Sequence, residues 1–137
     1  MSQENVEVVR RGYGRWQGGG GTADAVPPEI FAEDVKWDLS PYPLVDVPSR
    51  GSGRDNLLDV FAQFFSGLRN YQPEAREFID AGENVIVVLH EKAGISDSDA
   101  LLERDVFHVW TLQDGLVTKW RIFPTRKEAL EAAGLRE

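Results

Sequence analysis

The stretch that decides the fold runs from Glu103 to Arg136 and reads ERDVFHVWTLQDGLVTKWRIFPTRKEALEAAGLR. Two alternating patterns of apolar and polar residues, each typical of a β-strand, meet at the turn Gln113-Asp114-Gly115. Thr125 and Glu128 have the spacing of a capping box, which predicts a closing helix that ends at Gly134. This part of the chain is therefore predicted to be a β-hairpin followed at once by a helix.

Length and composition predict one globular domain that covers residues 1–137. The chain is long enough to bury a core without covalent staples, and it contains no cysteine. With 42% hydrophobic residues and no apolar run near the roughly 20 residues of a membrane span, the sequence predicts a soluble protein. The first residues include neither a basic nor an apolar segment, which favours a cytoplasmic location.

Charge limits the partners that the protein is expected to have. The formal net charge is −8 and the pI is near 4.8. A basic surface is needed to bind phosphate backbones or anionic lipid, so neither nucleic acid nor a membrane is an expected partner. The two histidines, His90 and His108, are not accompanied by cysteine or by ligands at metal-binding spacing, so no metal site is predicted. No organic cofactor is predicted either.

The first half of the chain contains helical patterns and one strand. Apolar residues at helical spacing follow Ser2, and the glycines of residues 18–21 end that helix. A short helix is predicted at Pro27-Pro28, and Val35 to Leu39 alternates as a strand. Residues 40–53 contain so many prolines and glycines that we expect an irregular loop, long enough to act as a rim or lid.

The middle of the chain is predicted to be one helix followed by strands. Ser52 and Asp55 resemble a capping pair for a helix whose apolar residues extend to Leu68. Residues 74–80 and 85–92 have strand patterns, and the apolar run at the start of the second predicts burial on both faces. Helices early and hairpins late indicate an α+β fold. We expect a cone-shaped, strongly curved antiparallel or mixed sheet, with three to four helices that close a pocket.

Several segments resemble the SnoaL-like branch of the nuclear transport factor 2-like superfamily, and the likeness spans nearly the whole chain. The resemblance implies a cone-shaped curved sheet with a pocket, usually in a homodimer. It does not imply one function, because the superfamily includes polyketide cyclases, ketosteroid isomerases, limonene-epoxide hydrolases, dehydratases and proteins without chemistry. The segments that carry the resemblance are Phe31-Ala32-Glu33-Asp34-Val35-Lys36-Trp37, Gly53-Arg54-Asp55, Trp110-Thr111-Leu112-Gln113-Asp114-Gly115-Leu116-Val117, Trp120-Arg121 and Glu128-Ala129-Leu130-Glu131-Ala132-Ala133-Gly134-Leu135.

The catalytic residues of these relatives are largely replaced in this sequence. By resemblance to the steroid isomerases, the general base falls at Leu39, and the protonated aspartate falls near His108. Their tyrosine donor falls at or beside Gly12, one residue from Tyr13. By resemblance to the limonene-epoxide hydrolases, an acid falls at Ile122, and their arginine and aspartate fall at Leu89 and Glu91. Leucine and isoleucine cannot transfer protons, so that hydrolase mechanism is not expected here.

Three residues remain as candidates for proton transfer: His108, Glu91 and Asp38. Imidazole titrates near neutrality, and burial can raise the pKa of a carboxylate toward that range. The competing interpretation is structural. In the register that the hydrolases imply, Glu91 faces Arg104 as a cross-strand ion pair and His108 faces Val87. For Asp38 the structural interpretation is favoured: it faces solvent or caps the proline-rich loop.

Arg104, Val106, His108 and Trp110 share one face of their strand, because successive strand residues point to opposite sides. Ligand sites are mostly apolar with a few placed polar groups, so the aromatic residues could line such a site, with ordinary core packing as the alternative. The predicted ligand-binding residues are Tyr13, Trp16, Trp37, Leu39, Tyr42, Phe61, Phe65, Arg104, Val106, Trp110, Trp120 and Ile122.

Two functional hypotheses follow. In the first, the protein is a cofactor-independent cyclase, isomerase or hydrolase that acts on a hydrophobic or polycyclic substrate, with His108 exchanging a proton and Glu91 or Asp38 assisting. In the second, it is a non-catalytic module for ligand binding or assembly, as the apolar Leu39 and Ile122 suggest. In both hypotheses the partner is a small hydrophobic molecule, and the chain forms a homodimer through its sheet.

Overall fold

The computed structural model describes residues 2–42 and 47–135 of the chain. Two 3-10 turns, Ala23–Ala25 and Pro28–Ile30, lie between the first helix and the first strand. No helix within the two described ranges is long and apolar enough to cross a membrane. The elements follow in the order α1 (Ser2–Gly18), β1 (Phe31–Asp38), β2 (Arg50–Ser52), α2 (Arg54–Ser66), β3 (Leu68–Ala81), β4 (Asn84–Ile95), β5 (Leu101–Gln113), β6 (Leu116–Phe123) and α3 (Arg126–Ala132).

The strands form one mixed sheet in the order β2-β1-β6-β5-β4-β3. β1 runs parallel to β6, and the other neighbouring pairs are antiparallel. The sheet does not close, since β2 and β3 are its edges. Register shifts in β3, after Arg69 and after Ala75, are typical of β-bulges, which bend a strand and increase its twist. The expected α+β fold with a curved, mixed sheet is confirmed.

The pairing of β4 with β5 has the register that the resemblance implies. Glu91 faces Arg104, and His108 faces Val87. Within β4, Val85 to Leu89 are buried, so the expected burial of this strand on both faces is also confirmed. A shift of one residue in this register would turn the inner side chains of β4 and β5 to the outer face of the sheet. The register therefore decides which polar groups of the two strands lie inside.

Two hydrophobic clusters lie on opposite sides of the sheet. The inner face packs against α1 and α2, with members such as Val9, Leu57 and Val87. The outer face packs against α3, and its buried residues are Ile86, Val109, Phe123, Ala129, Leu130 and Ala133. Because burial of apolar surface is the main force in folding, the alternation of inner and outer residues along β4 and β5 fixes both layers.

The closing helix begins as the sequence predicts. The hydroxyl oxygen of Thr125 accepts a hydrogen bond from the backbone N–H of Glu128 over 3.2 Å, and the hydroxyl donates to the Glu128 carboxylate over 2.9 Å. Gly134 follows the helix with φ of 82°, the left-handed conformation that favours glycine. Both ends of α3 are therefore determined by local chemistry.

The prediction of an irregular loop from Ser40 to Gly53 is wrong at its end, where Arg50–Ser52 forms β2. Gly51 pairs with Trp37, and a Cβ on Gly51 would lie 2.3 Å from Trp37 Cζ2. Trp37 also donates from Nε1 to the carbonyl oxygen of Pro48 over 3.2 Å. Gly51 is of a residue type that usually interrupts strands, but here it allows the indole ring of Trp37 to approach the backbone closely. The rim or lid role was also predicted for residues 43–46, which lie outside the described residues.

The predicted capping pair of Ser52 and Asp55 is also wrong. The N-cap of α2 is Gly53, with φ of 101° and no side-chain cap. Its backbone N–H donates instead to the carbonyl of Val35 over 2.8 Å, which ties the helix entry to β1. Leu68, expected on the helix, begins β3. The strand continues through Pro73 because β3 is an edge strand, where a missing N–H donor is tolerated.

Candidate ligand site

A cavity of about 80 Å³ lies between the inner face of the sheet and the helices α1 and α2. Its wall is mostly aromatic and aliphatic, with a few polar groups that come from α1, β3, β4 and β5. The lining residues are Val9, Gly12, Tyr13, Trp16, Val26, Pro27, Ile30, Phe31, Phe61, Phe64, Phe65, Tyr71, Glu91, Arg104, Val106, His108, Trp110, Val117, Trp120 and Ile122.

Three stacked rings form one side of the cavity. Trp110 on β5 pairs in register with Trp120 on β6, and their ring centroids are 5.5 Å apart with an interplanar angle of 10°. His108 lies against both, with centroids 5.7 Å from Trp110 and 5.6 Å from Trp120. The antiparallel register brings the three rings together, since these positions face the same side of the sheet.

The protonation of His108 is determined by one of its stacking partners. Trp120 donates from Nε1 to His108 Nδ1 over 2.8 Å, so the imidazole carries its hydrogen on Nε2. Burial, and then the positive charge of Arg104, lower the pKa of His108 to about 3. The ring is therefore neutral near pH 7, in contrast to the titration near neutrality expected from the residue type. Its Nε2–H is a donor without an acceptor among the described residues.

Tyr13 of α1 supplies a second neutral donor. Trp110 donates from Nε1 to the Tyr13 hydroxyl oxygen over 2.8 Å. The ring of Tyr13 stands edge-on to His108, with centroids 6.4 Å apart. Burial is the main cause that raises the pKa of the Tyr13 phenol, so the hydroxyl keeps its proton. This proton is free to be donated, because the contact with Trp110 uses a lone pair of the oxygen.

Glu91 is a buried carboxylate on the wall, with 3% of its surface exposed. Arg104 donates from Nε to Glu91 Oε1 over 2.9 Å, and the Tyr71 hydroxyl donates to Oε2. Arg104 also lies over the ring of Tyr42, 4.9 Å from its centroid. The ion pair with Arg104 is thus present, and it compensates the charge that burial would otherwise penalise.

Four of the candidate residues lie away from the cavity wall. Asp38 accepts hydrogen bonds at Oδ1 from the backbone N–H and the hydroxyl of Ser40, which lower its pKa together with Arg50, as a loop cap does. Trp37 packs on Gly51, and Leu39 is fully buried in the core. Tyr42 contacts the cavity indirectly, through Arg104. A catalytic role for Asp38 has no support from this placement.

The other candidates are brought together on the wall, although ligand binding by them stays a prediction. They are His108, Glu91, Tyr13, Trp16, Phe61, Phe65, Arg104, Val106, Trp110, Trp120 and Ile122. Trp16 Nε1 is buried and has no hydrogen-bond partner in the described part of the chain. The polar residue that the sequence did not indicate is Tyr71. It precedes the strand pattern that was recognised from Glu74, and its pairing with Glu91 depends on tertiary contact.

Comparisons with solved structures show the same fold at low sequence identity. A nuclear transport factor 2-like protein from Burkholderia xenovorans LB400 is 24% identical, with 96% of this chain and 95% of that chain covered and a TM-score of 0.66. A protein with a ketosteroid isomerase-like fold from Catenulispora acidiphila DSM 44928, in complex with trimethylamine, is 15% identical over 94% and 93%, with a TM-score of 0.68. TerC, co-crystallised with polyporic acid, is 19% identical over 96% and 98%, with a TM-score of 0.71.

These likenesses show a nuclear transport factor 2-like fold, here an α+β structure with an open, six-stranded mixed sheet. No match is found among curated proteins. The family model of the SnoaL-like domain matches residues 9–120, and the chain therefore belongs to the SnoaL-like family.

Proposed function

We propose that this protein binds a small, mainly apolar molecule with a carbonyl-type oxygen in the cavity between α1, α2 and the sheet. The observation that carries the proposal is the Nε2–H donor of His108, which is fixed by Trp120 and lacks an acceptor among the described residues. Apolar walls with few placed polar groups are typical of ligand sites. Such a site would hold the ligand by shape and orient it through one oxygen.

The second donor, the Tyr13 hydroxyl, supports the same ligand chemistry. Its ring and that of His108 are neighbours, with centroids 6.4 Å apart. Two neutral donors on a mainly apolar wall stabilise partial negative charge on an oxygen more strongly than water does, because they are already oriented. An apolar hydrocarbon would leave both donors unpaired, which costs free energy.

The size of the cavity favours a compact ligand. About 80 Å³ is less than the roughly 150 Å³ of an engineered protein cavity that binds benzene. A polycyclic molecule, as expected from the family, would have to displace side chains of the wall. Phe64 and Phe65 at the end of α2 are only partly buried and are the side chains that we expect to move.

The test compares cyclohexanone with methylenecyclohexane, which has the same shape but no oxygen, by calorimetric titration. We expect the ketone to bind roughly fivefold more tightly, since one hydrogen bond contributes about 1 kcal/mol. His108→Phe should reduce this preference, leaving only the contribution of the Tyr13 hydroxyl. His90 is the second histidine of the chain and lies on the outer face, where it pairs with Glu103 and Asp105. The control variant His90→Gln should therefore retain the preference for the ketone. Equal binding of both compounds to the unaltered protein would refute the proposal.

A second candidate is cofactor-free acid–base catalysis, which the buried carboxylate of Glu91 on the cavity wall favours. In this version Glu91 removes a proton next to the carbonyl group, while His108 and Tyr13 stabilise the oxygen of the enolate. Glu91 must first release Tyr71 or Arg104. Exchange of the α-hydrogens of cyclohexanone in D₂O, followed by NMR, tests this step. Exchange that Glu91→Gln abolishes supports catalysis, whereas binding without exchange leaves the protein a binding module.

We also propose a homodimer formed through the outer face of the sheet. The helix α3 packs against only part of this face, around Ile86 and Val109. A mass twice the 15.4 kDa of the chain in light scattering at micromolar concentration is the expected result. A mass of one chain at all concentrations would contradict the proposal.

A further inference from the structure

We propose that the groove beside the cavity binds an anionic group of the ligand, so that the ligand is an oxo acid with its apolar, carbonyl-bearing part inside. The inference rests on the proposed function and specifies the class of molecule. The groove has a volume of about 240 Å³. It is lined by Val8, Arg11, Gly12, Arg15, Glu29, Ile30 and Gly115.

The groove and the cavity share two residues, Gly12 and Ile30, which line both. A Cβ on Gly12 would lie 3.0 Å from Ile30 Cδ1, so the isoleucine packs directly on the backbone of α1 at this point. A single layer of side chain thus forms the common wall of the two spaces. One ligand can reach both when the terminal atoms of Ile30 move aside.

The charges in the groove leave one cation without compensation. Arg15 pairs with Glu29, which lowers the pKa of that carboxyl. Arg11 donates from Nε to the backbone carbonyl of Glu7 over 3.3 Å and has no carboxylate partner among the described residues. Two guanidinium groups and one carboxylate give the groove one net positive charge. The whole chain, in contrast, has a net charge of −8.

The position of Arg11 and Arg15, four residues apart, places both side chains on the same side of α1. Guanidinium groups bind carboxylates through two parallel hydrogen bonds. The apolar part of the ligand then occupies the cavity, where His108 and Tyr13 offer donors to its carbonyl oxygen. Because Arg11 is exposed, its attraction to the ligand is screened by salt.

The probes are linear methyl-ketone carboxylates of increasing chain length, beginning with levulinate, each compared with its neutral amide by calorimetric titration at low ionic strength. For the best-fitting length, we expect the acid to bind fivefold to tenfold more tightly than the amide. Arg11→Gln should remove this preference, because it weakens binding of the acid much more than binding of the amide. Arg10→Gln is the matched control, because Arg10 pairs with Glu7 and lies over Phe78 instead of lining the groove.

A variant that binds the acid more tightly cannot owe its effect to unfolding, and it therefore tests anion binding by the groove directly. Glu29→Gln removes the carboxylate from the groove and frees Arg15, so it should strengthen binding of the acid more than binding of the amide. The inference is overturned if acid and amide bind equally to the unaltered protein, or if Arg10→Gln weakens acid binding as much as Arg11→Gln. Failure of cyclohexanone to bind would instead refute the proposed function.

Discussion

His108 is buried against Trp120 and Trp110, and this burial makes the acid stability of the protein depend on one ring. Its pKa is about 3 in the folded chain, mainly through burial, and about 6.5 when unfolded. Below pH 6.5 the unfolded chain therefore binds a proton that the folded chain does not. The stability attributable to His108 falls as the pH decreases from 6.5 toward 3.

We expect His108→Gln, which can still accept from Trp120 through its side-chain oxygen, to reduce this acid sensitivity. The free energy of unfolding should fall between pH 7 and pH 4.5 by roughly 2 kcal/mol more in the unaltered protein than in the variant. Urea unfolding at both pH values measures it. Asp105 and then Glu103 raise the pKa of His90, an effect of opposite sign that cancels in the comparison. Equal pH dependence would show that His108 titrates normally in the folded chain.

For single residues, position along a strand can be predicted from the sequence, but tertiary contacts cannot. Position and register were predictable for His108 and Glu91, because strand alternation and the resemblance together place them opposite Val87 and Arg104. The proton on His108 was not predictable, since it depends on an indole from another strand. The same holds for the contact between Tyr71 and Glu91, whose partners lie 20 positions apart in the sequence.

At the level of elements, the close approach of β2 to Trp37 predicts a cost for any side chain at Gly51. A Cβ there would lie 2.3 Å from Trp37 Cζ2, and the ring is held by its hydrogen bond to Pro48. We expect Gly51→Ala to destabilise the protein by about 2 kcal/mol. On α1, a Cβ added at Gly14 would meet no atom of a neighbouring element within 4 Å. Gly14→Ala should therefore stabilise the protein by about 0.5–1 kcal/mol. Chemical denaturation of both variants gives the comparison, and an unchanged Gly51→Ala protein would contradict the packing.

The elements that were predicted correctly are those with local signals. The start of α3 depends on Thr125 and Glu128, and its end depends on Gly134. The sequence does not indicate β2, because Gly51 breaks strand patterns in isolation but is required here by the indole of Trp37. Nor does it indicate the entry to α2 at Gly53, because the contact of Gly53 with Val35 joins residues that are distant in the sequence.

For the molecule as a whole, the parallel pair of β1 and β6 makes the fold depend on its last strand. We expect a chain that ends after Asp114 to show no cooperative thermal transition in circular dichroism, because it loses buried residues such as Trp120 and Ile122. A chain that ends after Pro124 lacks only α3 and should retain the sheet, although Ile86 and Val109 would be exposed and bind a hydrophobic dye. A cooperative transition in the shorter chain would contradict the expected dependence on β6.

The same pairing has a consequence for synthesis. The residues between Asp38 and Leu116 must be translated before β1 meets β6, which takes several seconds at about 5–20 residues per second. During that time the apolar side chains of the first strand, such as Phe31 and Val35, lack the partners that bury them in the finished fold. Yield in a foreign host should consequently respond to the supply of ribosome-associated chaperones more than to the stability of the finished protein.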